Sequence, residues 1–119
     1  VHGADGLDEL STTGSNYICE VKDGEIREFN LSPEDAGLPQ ANLEDLKGGD
    51  GTYNAQRLRA LLDGEQDAYR DIVLLGAGAA LVIAGKVENI QKGVSVAAEA
   101  IDSGQAKTAL TQLVAISNS

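Results

Sequence analysis

The chain has 119 residues, enough for one domain or part of one, and a domain of that size buries roughly two-thirds of its unfolded surface without covalent staples. Nineteen acidic against nine basic residues give a formal net charge of -10, a field that excludes nucleic acid or an anionic membrane as the main partner and suits a cation, or a small anion carried with one. The single cysteine, Cys19, excludes an internal disulfide framework and suits a reducing, cytoplasmic setting; no signal sequence opens the chain, and the longest apolar run, Ile72 to Ala84, is shorter than the ~20 residues of a membrane span.

The first ten residues, VHGADGLDEL, begin without methionine, and Val1 and His2 read as the end of a strand, so the chain is expected to start inside a longer protein. Gly3 and Gly6 give the backbone after that strand access to positive φ, which places the acidic pair Asp8 and Glu9 on a loop at a strand end, where functional groups concentrate. Residues 16 to 31, NYICEVKDGEIREFNL, are two β-rich runs about Asp23-Gly24, a two-residue hairpin signal. With that turn Lys22 faces Glu25, Val21 faces Ile26, Glu20 faces Arg27 and Ile18 faces Phe29, so apolar meets apolar and opposite charges meet. The polar side made by Glu20, Lys22, Glu25 and Arg27 suggests a hairpin at the rim of a sheet, and in this chain alone the hairpin is expected to lack sheet neighbours.

Ser32-Pro33-Glu34-Asp35 combines an N-cap, a first-turn proline and early acids, predicting a short helix stopped by Gly37 and Pro39. A glycine loop follows, and Ala55, Leu58 and Leu62 keep helical spacing over Thr52 to Leu62 with Gly64 placed to end it. Residues 67 to 85 are apolar on every side from Ile72 onward, so this element is expected to be enclosed as the core helix. Behind Asn89 as a cap, Ile90, Val94, Ala97, Ala98 and Ile101 mark an amphipathic helix ended by Gly104; Ala106, Leu110, Leu113 and Val114 mark a fourth. The predicted fold is α/β, an antiparallel hairpin followed by a cluster of helices, with residues 1–119 as one unit.

Two glycine motifs are tempting. IVLLGAGAALVIAG resembles the strand and turn of a dinucleotide site, but Leu81 falls where the third fingerprint glycine belongs and no acid stands clearly in the ribose position. Gly76, Gly78, Ala79 and Ala80 are better read as small residues that let backbones approach a buried helix, at a propensity cost of ~1 kcal/mol per glycine. KGGDGT, 47 to 52, lacks the Lys-Ser/Thr pair of a phosphate loop, and Asp50 or Thr52 fits the simpler role of helix cap. His2 is the only histidine, so neither a histidine metal cluster nor a Ser-His-Asp triad can be built here, and Cys19 reads as a small, partly buried strand residue. Asp8 and Glu9 can be read two ways: as solvated surface acids, or as oxygen ligands for a hard cation such as magnesium.

VHGADGLDELSTTG, LKGGDGTYNA at 46 to 55, DIVLLGAGAALVIAGK at 71 to 86 and GVSVAAEAIDSGQA at 93 to 106 resemble, in the same order, segments of the anthranilate phosphoribosyltransferases. The resemblance spans the whole chain. It implies the C-terminal portion of a phosphoribosyltransferase/nucleoside phosphorylase-like α/β domain, in an enzyme of tryptophan biosynthesis that moves a phosphoribosyl group from phosphoribosyl pyrophosphate to anthranilate with Mg2+ as cofactor. It further implies that Asp8 and Glu9 ligate the magnesium carried by the pyrophosphate, and that the enzyme is a homodimer whose contact surface lies largely outside these residues. The family's N-terminal helical domain, its GTGGD loop and its KHGN segment have no counterpart among these residues, so this chain alone is expected to lack complete donor and acceptor sites. Gly76 stands where the family has asparagine. A pyrimidine nucleoside phosphorylase-like enzyme and a non-catalytic interaction module are the alternatives, the latter making no use of Asp8 and Glu9.

Overall fold

The computed structural model describes residues Val1–Ser119. A three-stranded antiparallel sheet, β1 (His2–Gly3), β2 (Asn16–Lys22) and β3 (Glu25–Leu31), in the order β1-β2-β3, precedes four helices: α1 (Gly51–Leu62), α2 (Ala68–Ile83), α3 (Ile90–Asp102) and α4 (Gln105–Ser117). This is the α/β arrangement expected, a hairpin followed by a helical cluster. Short 3-10 turns at Glu34–Ala36 and Leu43–Leu46 fill the connection between sheet and helices.

The hairpin has the register read from sequence, Lys22 opposite Glu25, Val21 opposite Ile26, Glu20 opposite Arg27 and Ile18 opposite Phe29. Asp23 and Gly24 both adopt positive φ, 52° and 80°, the primed turn whose twist matches that of paired strands. Arg27 and Glu20 form an ion pair at 3.1 Å, and Arg27 also lies over the Phe29 ring. Two expectations fail here. The hairpin does have a neighbour, because β1 pairs with β2 through His2–Tyr17 and Gly3–Asn16. Cys19 is exposed, because strand alternation puts it on the outer face with Tyr17 and Val21.

Local signals set the helix ends. Asp50, Asp67 and Asn89 accept from the backbone N–H groups of Tyr53, Arg70 and Lys92, capping α1, α2 and α3. Gly64, φ 97°, closes α1 in a Schellman turn, with Gly64 N–H on Leu61 O and Glu65 N–H on Ala60 O, both 3.0 Å. The Ser32–Asp35 segment forms a reciprocal cap, Ser32 N–H to Asp35 Oδ2 at 2.8 Å, but only one 3-10 turn follows before Gly37 reverses the chain.

The core joins Leu61 and Leu62 of α1, Leu74 and Leu75 of α2, and Ala97 and Ile101 of α3 with Ala36, Leu38 and Leu10. Helices α2 and α3 meet backbone to backbone at Gly78 and Gly93: a Cβ on Gly93 would lie 2.5 Å from the Gly78 carbonyl oxygen. Buried Arg70 on α2 adds an ion pair to Asp102 at the end of α3, 2.9 Å. The expected enclosure of α2 is not found. Only 17 of 119 residues are buried, and Gly76, Ala77, Ala80 and Ile83 face outward, with Ile83 87% exposed. All-round apolarity demands cover, but the residues present here cover one side only. Of the small residues, Gly78 makes the close approach, whereas a Cβ on Gly76 would meet nothing within 4 Å. On α4 Leu113, Val114 and Ile116 are likewise exposed.

Candidate functional site: an acidic pair on a braced loop

Between Gly3 and Asn16, which pair across β1 and β2, residues 4–15 fold into a compact loop. Ala4 N–H donates to Ser15 O at 3.0 Å and Gly3 N–H to Leu7 O at 2.9 Å, closing its mouth. Gly6 has φ +91°, the conformation that glycine permits, whereas Gly3 is small for a different reason from the one expected. A Cβ at Gly3 would lie 2.5 Å from Asp5 Oδ1.

Asp5 organises this loop. Its Oδ1 accepts the Leu7 N–H at 3.0 Å, and its Oδ2 accepts the Ser11 hydroxyl at 2.6 Å and the Thr13 hydroxyl. Ser11 Oγ in turn accepts the Thr13 N–H at 3.1 Å. Fully buried Asn16 fixes the far side: Oδ1 accepts the Ser11 N–H at 2.6 Å, and Nδ2 donates to the Ser11 and Leu31 carbonyls at 2.9 and 3.0 Å. Ala41 N–H on Thr12 O and the Gln40 side chain on Thr13 O tie the loop to the segment before α1. Leu10 inserts into the helical core.

Asp8 and Glu9 lie on this loop beyond a strand end, as read from sequence, and both are exposed. Every ion pair in the chain uses other acids, so neither carboxylate is neutralised by a basic side chain. No three His, Cys, Asp or Glu side chains gather to hold a metal by themselves. The arrangement therefore offers two adjacent hard oxygen donors and needs oxygens from elsewhere to complete a shell, a donor set that fits magnesium, which is held by one or two carboxylates plus substrate phosphates and water.

The carboxyl of Asp5 is pushed up by burial, but the Ser11 and Thr13 hydroxyls and the Leu7 amide outweigh this and hold it below the ordinary carboxylate value. The Ser32 backbone and hydroxyl likewise lower Asp35. Burial, and then Asp67, raise Asp71. A lowered acid stabilises the fold above its unfolded value near 3.9 and loses that contribution as pH falls through its folded value; Asp71 works in the opposite sense, best when protonated. The melting temperature of the chain is expected to hold between about pH 7 and pH 5 and to fall below about pH 4, and Asp5→Asn should make that acid limb shallower. Thermal melts across the pH range check this; an acid limb of unchanged steepness in Asp5→Asn contradicts it.

The other candidates remain structural. Asp50 caps α1, and Asn54 holds Gly49 from both sides, accepting its N–H at 2.9 Å and donating to its carbonyl at 3.0 Å, so the Gly49 amide is already taken and the Asp50 carboxylate stands at the helix N-terminus where a phosphate would have to sit. A shallow cleft of about 300 Å³ beside them, lined by Lys47, Tyr53, Arg57 and Tyr69 among others, has its cations already paired, Arg57 with Asp67 at 2.8 Å and Lys47 with Glu44 at 2.7 Å. Sequence reasoning singled out Asp8 and Glu9 but missed Asp5, Ser11, Thr13 and Asn16; the polar run STTGSN was the available signal.

No helix is long and apolar enough to cross a membrane. Comparison with known proteins gives a consistent result. An anthranilate phosphoribosyltransferase of Parvibaculum lavamentivorans is 58% identical over 118 residues, covering 99% of this chain and 35% of the relative, and one of Beijerinckia indica subsp. indica is 57% identical over 99% of this chain and 34% of its own. The chain thus spans about a third of the length of these relatives. The crystal structure of anthranilate phosphoribosyltransferase from Thermus thermophilus superimposes with a TM-score of 0.88 at 41% identity, over 99% of this chain and 35% of that one. The Saccharomyces cerevisiae enzyme, solved in complex with PRPP and Mg, superimposes with a TM-score of 0.83 at 25% identity, over 92% and 32%. With residues 1–107 matched by the model of the glycosyl transferase family a/b domain, the chain belongs to that family.

Proposed function

We propose that residues 1–119 are the C-terminal part of the catalytic α/β domain of an anthranilate phosphoribosyltransferase, taking part in transfer of the phosphoribosyl group from phosphoribosyl pyrophosphate to the anthranilate amine. In that transfer a bond forms between the sugar C1 and the amine nitrogen, the C1–oxygen bond breaks, pyrophosphate leaves, and the nitrogen releases one proton. The observation that carries the reading is the presentation of Asp8 and Glu9, two exposed carboxylates without basic partners on a loop fastened at both ends. These two residues would hold Mg2+ together with substrate phosphate oxygens. When bound, the cation offsets charge on the departing pyrophosphate. Asp8 and Glu9 act as ligands and hold no transferring proton.

The rest of a protein of the relatives' length supplies the remaining donor and acceptor contacts, and packs over the bare apolar faces of α2 and α4 around Ile83, Leu113 and Ile116. Two such proteins pair as a homodimer through surface mostly outside these residues. The exposed, unpaired Cys19 suits the reducing cytoplasm.

The test is a chimera in which residues 1–119 replace the matching segment of the Parvibaculum lavamentivorans relative. It should consume anthranilate only with phosphoribosyl pyrophosphate and Mg2+, stop on addition of EDTA, and leave pyrimidine nucleosides with phosphate untouched. A folded chimera that turns over nucleoside and phosphate but not anthranilate would overturn the reading in favour of a phosphorylase.

A further inference from the structure

We infer that Asp5 is a positioning residue for the acidic pair, fixing the loop on both sides of Asp8 and Glu9 so that the two carboxylates stay presented together. The inference rests on the proposed cation-holding role of Asp8 and Glu9 and extends it to a residue that touches neither the cation nor substrate.

Three observations carry it. First, both Asp5 oxygens are engaged within the loop: Oδ1 by the Leu7 N–H at 3.0 Å, Oδ2 by the Ser11 hydroxyl at 2.6 Å and by the Thr13 hydroxyl. Asp5, Asp8 and Glu9 do not gather into a three-carboxylate cluster. Second, those partners bracket the pair, since Leu7 immediately precedes Asp8 while Ser11 and Thr13 follow Glu9. Third, Asp8 and Glu9 have no ion pair of their own to fix them, so their placement comes from the backbone that Asp5 braces, together with the buried anchor Leu10. Two like charges side by side repel, and a loop free to relax would move them apart. A brace that accepts three hydrogen bonds opposes that relaxation before any cation arrives, so less ordering is left for the binding step.

Asparagine keeps the shape but not the charge: its oxygen can still accept the Leu7 amide, while its Nδ2 can only donate toward the Ser11 and Thr13 oxygens, so Asp5→Asn replaces two charge-assisted bonds with weaker neutral ones. The probe is Mn2+ titrated into the chimera with inorganic pyrophosphate and read by electron paramagnetic resonance, which reports binding independently of turnover. Asp5→Asn should weaken Mn2+ about 10-fold or more, as loss of an outer-shell partner does, and the turnover lost at low Mg2+ should be recovered at high Mg2+. Thr13→Val should weaken Mn2+ in the same direction while Thr13→Ser, which keeps the hydroxyl, restores it; this pair decides the matter if Asp5→Asn does not fold. In an Asp8→Asn/Glu9→Gln background, Asp5→Asn should add no further loss. Wild-type Mn2+ affinity in both Asp5→Asn and Thr13→Val, or an additive loss in that background, would overturn the positioning role while leaving the ligand reading intact. Wild-type affinity in Asp8→Asn/Glu9→Gln itself would bring down the ligand reading and this inference with it.

Discussion

Asp8→Asn combined with Glu9→Gln should lower magnesium-dependent turnover of the chimera by roughly a thousandfold while leaving its melting temperature nearly unchanged. The magnitude follows from the chemistry assigned to the pair. A bound cation contributes several kcal/mol toward stabilising charge on a leaving group, and about 4 kcal/mol corresponds to a thousandfold in rate. The small effect on stability follows from the structure: both side chains are exposed and take part in none of the ion pairs, so the amides remove nothing that holds the loop. Relief of repulsion between adjacent carboxylates leaves the fold no worse off. Steady-state rates over a range of Mg2+ concentrations, set beside thermal melts, check both halves. Turnover within a factor of two of the parent at all Mg2+ concentrations would show that the carboxylates are ordinary surface acids.

Gly93→Ala should be the most destabilising single methyl added to this chain. Its Cβ would lie 2.5 Å from the Gly78 carbonyl oxygen and 2.8 Å from the Gly78 Cα, both backbone atoms that no rotamer change can move. The helices must separate, loosening Leu74, Leu75, Ala97 and Ile101 beside the crossing. Overpacking of this kind costs about 3 kcal/mol, against ~1 kcal/mol gained from replacing a helical glycine. The net loss of about 2 kcal/mol corresponds to a drop of roughly 10 °C in melting temperature for a domain of this size. Gly76→Ala, on the facing helix, should do the reverse: its Cβ meets open space, so the propensity gain of ~1 kcal/mol is kept. Thermal melts of the two variants of the chain, side by side, test the crossing; equal shifts of the same sign would contradict it.

That contrast also marks what a sequence can reveal. Asp23-Gly24, Asp50, Asn89, Gly64 and Gly104 were legible because each acts on neighbours within a few residues, and the hairpin register followed from the turn alone. Gly76 and Gly78 look equivalent in sequence, and only the arrival of α3 from elsewhere in the chain distinguishes them. The enclosure of α2 was misjudged for a related reason: hydrophobicity on every side says that a surface wants cover, not that the cover lies within the same 119 residues. In the site, Asp8 and Glu9 announced themselves as an adjacent pair. Asp5 did not, because its role exists only once the loop closes and brings Leu7, Ser11 and Thr13 around it.

If Asp8 and Glu9 hold the cation that accompanies pyrophosphate, a bound metal lies in direct contact with their carboxylates. Crystals of the chimera grown with Mn2+ and phosphoribosyl pyrophosphate, with data collected at the manganese absorption edge, test it most directly. An anomalous peak is expected within about 2.0 to 2.3 Å of an oxygen of Asp8 or Glu9, a coordination distance close to that of magnesium. A manganese bound to the phosphates with both carboxylates beyond coordinating reach would contradict it.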